Sequence, residues 1–443
     1  MKTSYFNIYL SIREEESLLV YNTFSGAFAK IVKEDVKIAQ ALLSNPNIIC
    51  DSNEINRLKE SLSAGGFIID NHTDEIKILK LRNRLGRYQR KLFGLTIAPT
   101  LDCNFRCDYC YELLKNTTMS KETEENIILF AKRGMKEISV FRVNWYGGEP
   151  LLRFDVISRL TEKFILICND RNIEYSAGMI TNGYLLNKDV IKVLDEYLIK
   201  NIQITVDGPR YIHDKRRILA SGEPTFDIIM SNLEKVIKKS NAIINLRINI
   251  DKDNHESVLE FIESLKYKQL LNKVNVYLAP IQTCFNHASD YQHKCISYKE
   301  FIDVETKVFN KLSAKDIIIK NIPTQKNQQC IADTWGCFAV DPEGFLYKCY
   351  ADIGEKEHSV GHITDTECIK SRFYEYLVWD PFDDKKCKKC IFLPICMGGC
   401  TRRRMSKSRN YSVCSKWKYR IIKSLEAWYT NYQSLSNDRQ TRG

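Results

Sequence analysis

From Phe93 onward, two kinds of hydrophobic pattern alternate along the chain. Short runs rich in β-branched and aromatic residues are typical of strands, and longer stretches with an apolar residue every three or four positions are typical of amphipathic helices. The predicted strands are FGLTIAPT, VFRVNWYGG, EYSAGMITNG, NIQITVDG, NLRINID and VNVYLAP, and the predicted helices lie near 121–136, 154–169, 187–198, 226–239 and 255–267. Repeated strand and helix units predict a parallel sheet, closed or half closed into a barrel, with the active site at the C-terminal strand ends.

The first 86 residues have a different pattern. Two strand-like runs, YFNIYLSI and SLLVYNTF, precede helical patterns near 25–45 and 53–64, and GGFIID predicts a further strand. This order predicts a small α+β domain, compatible with a winged helix. A helical pattern near 298–312 ends the barrel region, and residues 321–420 then hold nine of the sixteen cysteines. The predicted domains are the α+β domain 1–86, the barrel 87–320, a cysteine-rich, metal-organised domain 321–425 and a C-terminal tail 426–443.

Composition narrows the class of protein. The chain is 44% hydrophobic and 27% charged, and no apolar run has the eighteen residues that a membrane span needs. The charged start of the sequence also argues against a signal peptide, so we expect a cytoplasmic protein that does not bind a membrane. Because the cytosol keeps thiols reduced, its sixteen cysteines indicate metal ligation or catalysis rather than disulfides.

The net charge of +11 raises the question of an anionic partner. The 66 basic and 55 acidic residues are mostly interspersed, and two basic stretches stand out, 80–91 and 401–410. We interpret both stretches as solvated faces or linkers, so no nucleic-acid partner is predicted. Lysine and arginine near thiolate-ligated metal clusters would instead offset the negative charge of the clusters.

Three cysteines directly follow the first barrel strand. Cys103, Cys107 and Cys110 are spaced C-x3-C-x2-C. Three thiolates on one loop cannot complete a tetrahedral zinc site by themselves, but they can hold three irons of a [4Fe-4S] cluster and leave the fourth open to another ligand. The spacing therefore favours a cluster with one reactive iron.

Here the sequence resembles the radical S-adenosylmethionine (SAM) superfamily, in which this motif follows the first strand of a partial (β/α)6 TIM-type barrel. Tyr109 fills the place before the last cysteine, where an aromatic residue is common. The resemblance implies that SAM chelates the open iron and that one electron cleaves it to methionine and a 5′-deoxyadenosyl radical, which abstracts hydrogen from substrate. It also implies an electron donor of the flavodoxin or ferredoxin type.

Further motifs recur in order at the ends of later strands. The resemblance implies that the GGEP motif binds the SAM amine and that later residues contact the ribose and carboxylate. The implied SAM-binding residues are Tyr109, Gly147, Gly148, Glu149, Pro150, Thr205 (ribose) and Arg217 (carboxylate). MITNGYLL carries Thr181, Asn182 and Gly183 at the end of the third strand, and we interpret Asp207 and Gly208 as a turn of undecided role.

The later cysteines resemble a SPASM extension, a twin-cluster module found on many peptide-modifying radical SAM enzymes. The segments G-x4-C and C-x2-C-x5-C-x3-C appear in its order. The resemblance implies two auxiliary [4Fe-4S] clusters, and so three in all, with one on Cys330, Cys337, Cys349 and Cys400 and the other on Cys387, Cys390, Cys396 and Cys414. Cys337 is the open question, because some relatives leave one iron of the first auxiliary cluster free for a substrate thiolate.

The remaining cysteines show no ligand spacing. Cys50, Cys168 and Cys368 are interpreted as inert thiols. The segment 284–295 brings together Cys284, His287, His293 and Cys295, and an ordinary loop is favoured over a zinc site because the spacing matches no known pattern.

Three functions remain open. The leading hypothesis is a maturase that installs a thioether or carbon–carbon crosslink in a ribosomally made precursor peptide, whose leader the N-terminal domain captures by strand addition. The second is an anaerobic sulfatase maturase, which forms formylglycine and shares the H-D-x-x-R stretch His213 to Arg217; such enzymes typically carry an aspartate base where Tyr350 follows Cys349. The third is a zinc-containing protein that binds nucleic acid.

Overall fold

The computed structural model describes residues 1–49, 52–281, 291–313, 323–328, 330–365, 370–405 and 413–440. The chain forms two compact units. The first consists of residues 1–88, 320–330 and 379–443, and the second of residues 89–319 and 331–378. The predicted 321–425 segment therefore contributes residues to both units, while the limit near residue 88 lies close to the predicted end of the N-terminal domain.

The N-terminal part of the first unit is an antiparallel sheet with helices. Its elements are β1 (Lys2–Thr3), β2 (Asn7–Ile12), β3 (Ser17–Asn22), β4 (Phe28–Ile31), α1 (Lys33–Ser44), α2 (Asn53–Ala64), β5 (Ile68–Ile69) and α3 (Glu75–Arg87). Strands β2, β3 and β4 pair in that order, and β1 pairs with β5. The strands at β2, β3 and β5 and the helix at α2 confirm the α+β pattern.

One local prediction in this part was wrong, and another held only in part. The helix expected from residue 25 begins only at Lys33, because Phe28–Ile31 pairs with β3 as strand β4. The basic stretch 80–91 is largely the second half of α3, so it is a mostly solvated helix face, as one of the two interpretations had it, and not a linker. Leu79 and Arg87 of this helix are buried, and the Asn83 side chain donates a 2.7 Å hydrogen bond to the Asn327 carbonyl. Helical spacing hides these inward positions among exposed lysines and arginines.

The second unit contains the predicted barrel strands. They are β6 (Leu92–Ile97), β7 (Val140–Trp145), β8 (Glu174–Thr181), β9 (Ile199–Thr205), β10 (Ile243–Ile250) and β11 (Val274–Pro280). The helices are α4 (Lys121–Gly134), α5 (Phe154–Asp170), α6 (Lys188–Val193), α7 (Arg210–Arg216), α8 (Phe226–Lys239), α9 (Val258–Tyr267) and α10 (Tyr298–Ser313). All six strands are parallel and stand in sequence order, which confirms the predicted (β/α)6 arrangement.

Part of the cysteine-rich region extends this sheet. Strand β12 (Cys337–Val340) pairs in parallel with β6, and β13 (Phe345–Tyr347) and β14 (Gly361–His362) continue the sheet in antiparallel fashion; α11 (Ser371–Val378) follows. Large apolar side chains such as Phe141, Phe164 and Phe261 fill the core between the sheet and its helices. Hydrophobic burial of this extent holds the strand ends, and thus the loops that follow them, in fixed positions.

The C-terminal segment completes the first unit. Its helices are α12 (Lys385–Lys388), α13 (Leu393–Cys396), α14 (Thr401–Met405) and α15 (Trp417–Gln440). Phe6 and Leu79 pack with Phe382, Leu393 and Met397 in one apolar cluster. Polar contacts reinforce this packing, since the Thr23 hydroxyl donates to the Ile391 carbonyl at 2.6 Å and the Tyr5 hydroxyl to the Lys389 carbonyl at 2.7 Å. None of the described helices combines the length and apolar character that crossing a membrane would require.

Candidate active site

The loop after β6 carries the three cysteines at the C-terminal edge of the sheet. Cys103, Cys107 and Cys110 are all partly buried. The Asp102 carboxylate accepts the Cys103 backbone N–H at 2.7 Å, and the Phe105 N–H donates to the Cys103 sulfur at 3.4 Å. These short-range hydrogen bonds give the loop a defined conformation with its three thiols on one segment.

Burial raises the pKa of all three thiols, that of Cys110 to about 12. For Cys107, the nearby Arg217 guanidinium opposes this rise. Thiols in such surroundings keep their protons until a cation replaces them. The donor set therefore suits a cationic group that binds several thiolates at once.

The two glycines of GGEP lie directly against this loop. A Cβ at Gly147 would approach the Thr100 carbonyl oxygen to 2.4 Å, and one at Gly148 would approach the Asp102 oxygen to 2.2 Å. The Gly148 N–H donates to the Thr100 carbonyl at 3.3 Å, and the Glu149 N–H to the Asp102 carbonyl at 2.9 Å. The glycines are thus required by contact with the cysteine loop, a reason that their sequence motif did not reveal.

Glu149 joins the loop after β7 to the end of β8. One of its carboxylate oxygens accepts the Thr181 hydroxyl at 2.7 Å and the Leu151 N–H at 3.1 Å, and the other accepts the Asn182 N–H at 2.7 Å. Burial raises the pKa of this carboxyl to about 6, although these donors oppose the rise. Pro150 is buried beside it and opens a short 3-10 helix. The contacts give Glu149 a positioning role at the edge of the site.

The ends of β8 and β9 complete the same edge. Asn182 Nδ2 donates to Asn104 Oδ1 at 2.8 Å and lies 4.0 Å from the Cys103 sulfur. Thr205 is the buried last residue of β9 and stands opposite Arg247 in the register with β10. The predicted SAM contact at Thr205 is thus at the strand-end edge.

Tyr109 is the centre of a buried hydrogen-bond network. Its hydroxyl donates to the Asp207 carboxylate and accepts hydrogen bonds from Arg217 Nη1 at 2.8 Å and Asn249 Nδ2 at 3.2 Å. Two predicted SAM-contact residues, Tyr109 and Arg217, are therefore in direct contact. The network ties the cysteine loop to the ends of β9 and β10.

Asp207 is a site residue that the sequence reading left undecided. It is fully buried, its carboxylate accepts the Asn249 N–H at 3.1 Å, and it pairs with Arg216 at 3.4 Å. Arg216 also pairs with the buried Asp251 at 2.5 Å. The dipeptide Asp-Gly is common in turns, so the sequence alone could not distinguish this role. The position of Asp207 immediately beyond a parallel strand was the available signal.

Two of the buried guanidinium nitrogens that have no hydrogen-bond partner among the described residues lie at this site. They are Arg217 Nε and Arg216 Nη2. The Arg217 guanidinium also lies over the Phe105 ring, 5.5 Å from its centre. A buried donor without a partner is costly, and a guanidinium pairs well with a carboxylate. Together with three thiols on one loop, this fits a site for a [4Fe-4S] cluster and the carboxylate of SAM.

Three tyrosines enclose a cavity next to this loop. The hydroxyls of Tyr111 and Tyr146 are 2.5 Å apart, and the Tyr350 ring packs edge-on against Tyr146 with the ring centres 5.2 Å apart. Glu112 also lines the cavity, and burial raises its pKa to about 8 against an opposing hydrogen bond to Tyr146. Because Tyr111 follows Cys110 and Tyr350 follows Cys349, the cavity lies between two predicted ligand-bearing loops.

The first auxiliary set is divided between the two units. Cys337 begins β12 and is buried in register with Gly94 of β6, and Cys349 follows β13 in the same unit. The β12–β13 register, extended by two residues, would place Cys337 and Cys349 opposite each other. Cys330, which is exposed, and Cys400 belong to the first unit.

The second auxiliary set lies wholly in the first unit. Burial raises the pKa of Cys396, and the Cys414 and Cys390 thiols raise this pKa further. Burial also raises the pKa of Cys387 to about 11, although Arg404 opposes the rise. The Cys390 N–H donates to the Cys387 carbonyl at 3.0 Å. That these four thiols hold one cluster stays a prediction of the resemblance.

The described residues also bear on the zinc alternative. Among the described residues, no three His, Cys, Asp or Glu side chains are grouped to hold one metal ion. The ligands of a four-iron cluster bind separate irons, so this result bears on a single-ion site such as zinc. Cys284, His287, Cys50 and Cys368 lie outside the described residues, while Cys168 is buried in the core and Cys295 packs near Tyr291.

Comparisons with known proteins agree with this geometry. Residues 97–265 match the sequence profile of the Radical SAM superfamily. The cysteine-type anaerobic sulfatase-maturating enzyme of Clostridium novyi (strain NT) is 26% identical over 348 residues, which is 71% of this chain and 89% of that enzyme.

Two solved structures share the fold. The enzyme anSMEcpe, solved with AdoMet and the Cp18Cys peptide bound, matches 78% of this chain and 99% of its own with a TM-score of 0.59 and 20% identity. Streptococcus suis SuiB, bound to its precursor peptide SuiA, matches 94% of this chain and 99% of its own with a TM-score of 0.53 and 14% identity. The chain therefore contains a radical SAM domain, built on the α/β fold that anSMEcpe and SuiB share, together with a cysteine-rich C-terminal region.

Proposed function

We propose that this chain is a radical SAM maturase that installs a thioether or carbon–carbon crosslink in a precursor peptide. The observation that carries the radical step is the packing of the GGEP backbone and Arg217 around the loop of Cys103, Cys107 and Cys110. When bound there, a [4Fe-4S] cluster and SAM supply a carbon-centred radical that can take a hydrogen atom from substrate. The cysteines hold the cluster, Arg217 binds the SAM carboxylate and Tyr109 orients Arg217.

A peptide substrate is supported by the first unit. Strands β2 and β4 are the outer strands of a three-stranded sheet, and in the described residues each pairs only with β3 within it. Unpaired strand edges can bind an extended peptide by strand addition. SuiB was solved with a precursor peptide and anSMEcpe with a peptide, and we extend this substrate class to the present chain. A leader segment held at such an edge would raise the local concentration of the peptide.

The residue that follows Cys349 favours a crosslink over formylglycine. Tyr350 occupies the position after Cys349 at which the sulfatase maturases that the sequence resembles carry an aspartate, and its ring packs on Tyr146. A tyrosine is a far weaker acid than an aspartic acid at this place, so the base expected for formylglycine formation is missing from it. One of the two auxiliary clusters would accept the electron that is released when the substrate radical forms the new bond.

Formylglycine formation is the second candidate function, because the relative from Clostridium novyi is named a sulfatase-maturating enzyme and aligns with 71% of the chain. A direct comparison separates the two reactions. Purified enzyme would be given either a short cysteine-rich candidate precursor peptide or a sulfatase-derived cysteine peptide. We expect the precursor to lose two hydrogen atoms without forming an aldehyde. An aldehyde on the sulfatase peptide, detected by hydrazide labelling, would instead support the second function.

The radical step itself is tested without any peptide. Cys103→Ala, Cys107→Ala and Cys110→Ala should each abolish formation of 5′-deoxyadenosine from SAM and dithionite, since each removes one of three cluster ligands. Cys168→Ala is the matched control, because Cys168 is a buried residue of helix α5 and not a member of the cysteine loop. Wild-type levels of 5′-deoxyadenosine from any of the three loop variants would contradict the assignment.

A further inference from the structure

Arg404 lies in the basic stretch 401–410, which the sequence suggested was a solvated face. Its side chain is instead only 17% exposed and is turned into the first unit. Nη2 donates to the Cys387 sulfur at 3.4 Å, and Nε donates to the Gly398 carbonyl at 2.8 Å. The guanidinium therefore reaches the sulfur of one implied ligand of the second auxiliary cluster and the backbone two residues beyond another, Cys396.

The surroundings hold this guanidinium in one orientation. The Trp379 ring lies under it, with the ring centre 4.2 Å from the guanidinium carbon. Trp379 in turn packs so closely on Gly398 that a Cβ there would approach the indole to 2.2 Å. Asp384 lies on the other side, 3.8 Å from Arg404 Nη1. Stacking on an aromatic face and pairing with a carboxylate both favour arginine over lysine at such a position.

Asp384 connects the same guanidinium to Cys387 by a second route. Its carboxylate caps helix α12 and accepts the backbone N–H groups of Lys386 and Cys387, both at 2.9 Å. Cys387 is thus held at its backbone by Asp384 and contacted at its sulfur by Arg404, while these two side chains face each other. Outer contacts of this kind orient a metal ligand and modify its electronic properties.

Backbone donors already serve another sulfur of the set. The N–H groups of Ser415 and Gly398 hydrogen-bond to Cys396. Arg404 differs from them because it brings a full positive charge to a thiolate. Hydrogen bonds and positive charge at cluster sulfurs stabilise the reduced form, which carries one more electron.

We propose that Arg404 is a positioning residue that raises the reduction potential of the cluster on Cys387, Cys390, Cys396 and Cys414. This inference rests on the proposed function for the existence of that cluster. It deepens the function by assigning to this cluster a charged contact at sulfur that suits it to accept the electron released when a crosslink closes. In that step the substrate carbon radical bonds to a sulfur or carbon atom whose S–H or C–H bond breaks; the proton leaves to solvent and the released electron reduces the cluster.

The test is an anaerobic redox titration of the fully reconstituted enzyme, followed by electron paramagnetic resonance. Arg404→Met removes charge and donors at similar length, and Arg404→Lys keeps the charge but loses the planar fork. Arg57→Met is the control, because Arg57 is exposed on α2 in the same unit. Each protein should first show about twelve irons, as expected for three [4Fe-4S] sites.

We expect one of three midpoint potentials to fall in Arg404→Met, to fall less in Arg404→Lys and to stay unchanged in Arg57→Met, with the other two potentials constant. Unchanged potentials in an iron-replete Arg404→Met protein would overturn the inference. If that variant loses about four irons, the Arg404→Lys protein decides, and loss of the cluster there too would make Arg404 a structural residue only. A wild-type enzyme that makes 5′-deoxyadenosine with fewer clusters would overturn this inference while leaving the radical step intact.

Discussion

The Tyr109 hydroxyl accepts a 2.8 Å hydrogen bond from the Arg217 guanidinium, and so joins the cysteine loop to the residue that directly follows helix α7. These residues are 108 positions apart in sequence. The same hydroxyl donates to Asp207, which is fully buried. The cysteine loop and the inferred binding site for the SAM carboxylate are therefore parts of one network.

Removing the Tyr109 hydroxyl should weaken both the stability of this network and the binding of SAM. Tyr109→Phe leaves Asp207 and Arg217 buried with one partner fewer, which should lower the free energy of unfolding by about 1–3 kcal/mol. We also expect weaker SAM binding with little change in iron content, measured by equilibrium dialysis and iron analysis. Tyr211→Phe is the control, because the exposed Tyr211 hydroxyl donates to Glu260 at 2.8 Å, and its loss should change neither SAM binding nor iron content. Equal SAM affinity in both variants would contradict the role of Tyr109.

Gly148 offers a test of the contact between GGEP and the cysteine loop. In Gly148→Ala the new methyl group would meet the Asp102 backbone at 2.2 Å, so the loop must shift. Overpacking of this kind costs about 1–3 kcal/mol, and here it should also impair loading of the cluster on Cys103, Cys107 and Cys110. The expected result is protein that remains folded but makes little 5′-deoxyadenosine.

The control for this prediction is Gly222→Ala. A Cβ at Gly222 meets nothing within 4 Å, although its φ of +97° makes alanine strained there. The control therefore adds backbone strain without moving the cysteine loop, and it should keep normal iron content and activity. Full activity in Gly148→Ala would show that the two loops do not need their close contact.

The barrel and its cysteine loop could be predicted because their signals are local. Each of the six strands has its own apolar run, and three cysteines within eight positions define a ligand loop without reference to the rest of the chain. The role of Asp207 could not be predicted, because its partners Tyr109 and Arg216 reach it only once α7 and the loop have packed. The Asp-Gly sequence of a turn is the same whether or not such partners are present.

The division of the cysteine-rich region was hidden for a similar reason. Strand β12 joins the barrel by pairing with β6, more than two hundred positions earlier, and the Thr23 hydroxyl contacts Ile391 across 368 positions. Sequence patterns describe which residues are apolar, but not which distant segment covers them. The range 321–425 therefore remains a prediction of where the cluster ligands lie along the chain. In the structure, the residues of this range are distributed between the two compact units.

The buried His213 should make the free energy of unfolding of this protein depend on pH. Its Nδ1 accepts the Asp207 N–H at 3.3 Å, and Nε2 pairs with the Thr225 hydroxyl at 3.1 Å, so the neutral ring is the form that fits. Burial, with Arg217 nearby, lowers the pKa of His213 to about 3. An unfolded histidine has a pKa of about 6.5, so the stabilisation is complete above that pH and is lost as the pH falls toward 3.

Between pH 7.5 and 6.0 this loss should be about 0.8 kcal/mol for one histidine. Urea unfolding of the wild type at the two pH values should therefore show a lower midpoint at pH 6.0. His213→Gln is less stable at both values but lacks this term, so its midpoint should change less. Identical pH shifts for the two proteins would exclude His213 as the source.

Removal of the predicted N-terminal domain, residues 1–86, should affect the C-terminal cysteines as well as peptide binding. Leu393 and Met397 are buried against Phe6 and Leu79, so truncation would expose apolar surface beside Cys396. The polar contacts of Thr23 and Tyr5 with the 389–391 backbone would be lost too. Because cluster binding and folding of such a segment are coupled, the truncated protein should lose about four of roughly twelve irons.

The second unit carries the radical chemistry by itself in this view, since residues 89–319 contain all three cysteines of the first loop and the strand ends around it. The truncated protein should therefore still convert SAM to 5′-deoxyadenosine with dithionite, while crosslinking of the precursor peptide stops. Thr23→Val, which removes one hydrogen bond to Ile391, serves as a mild counterpart and should retain its iron and most of its activity, with a lowered melting temperature. A truncated protein with full iron content would mean that the C-terminal cysteine segment folds without its N-terminal partner. Loss of 5′-deoxyadenosine from an otherwise soluble truncation would show instead that the radical step depends on the first unit.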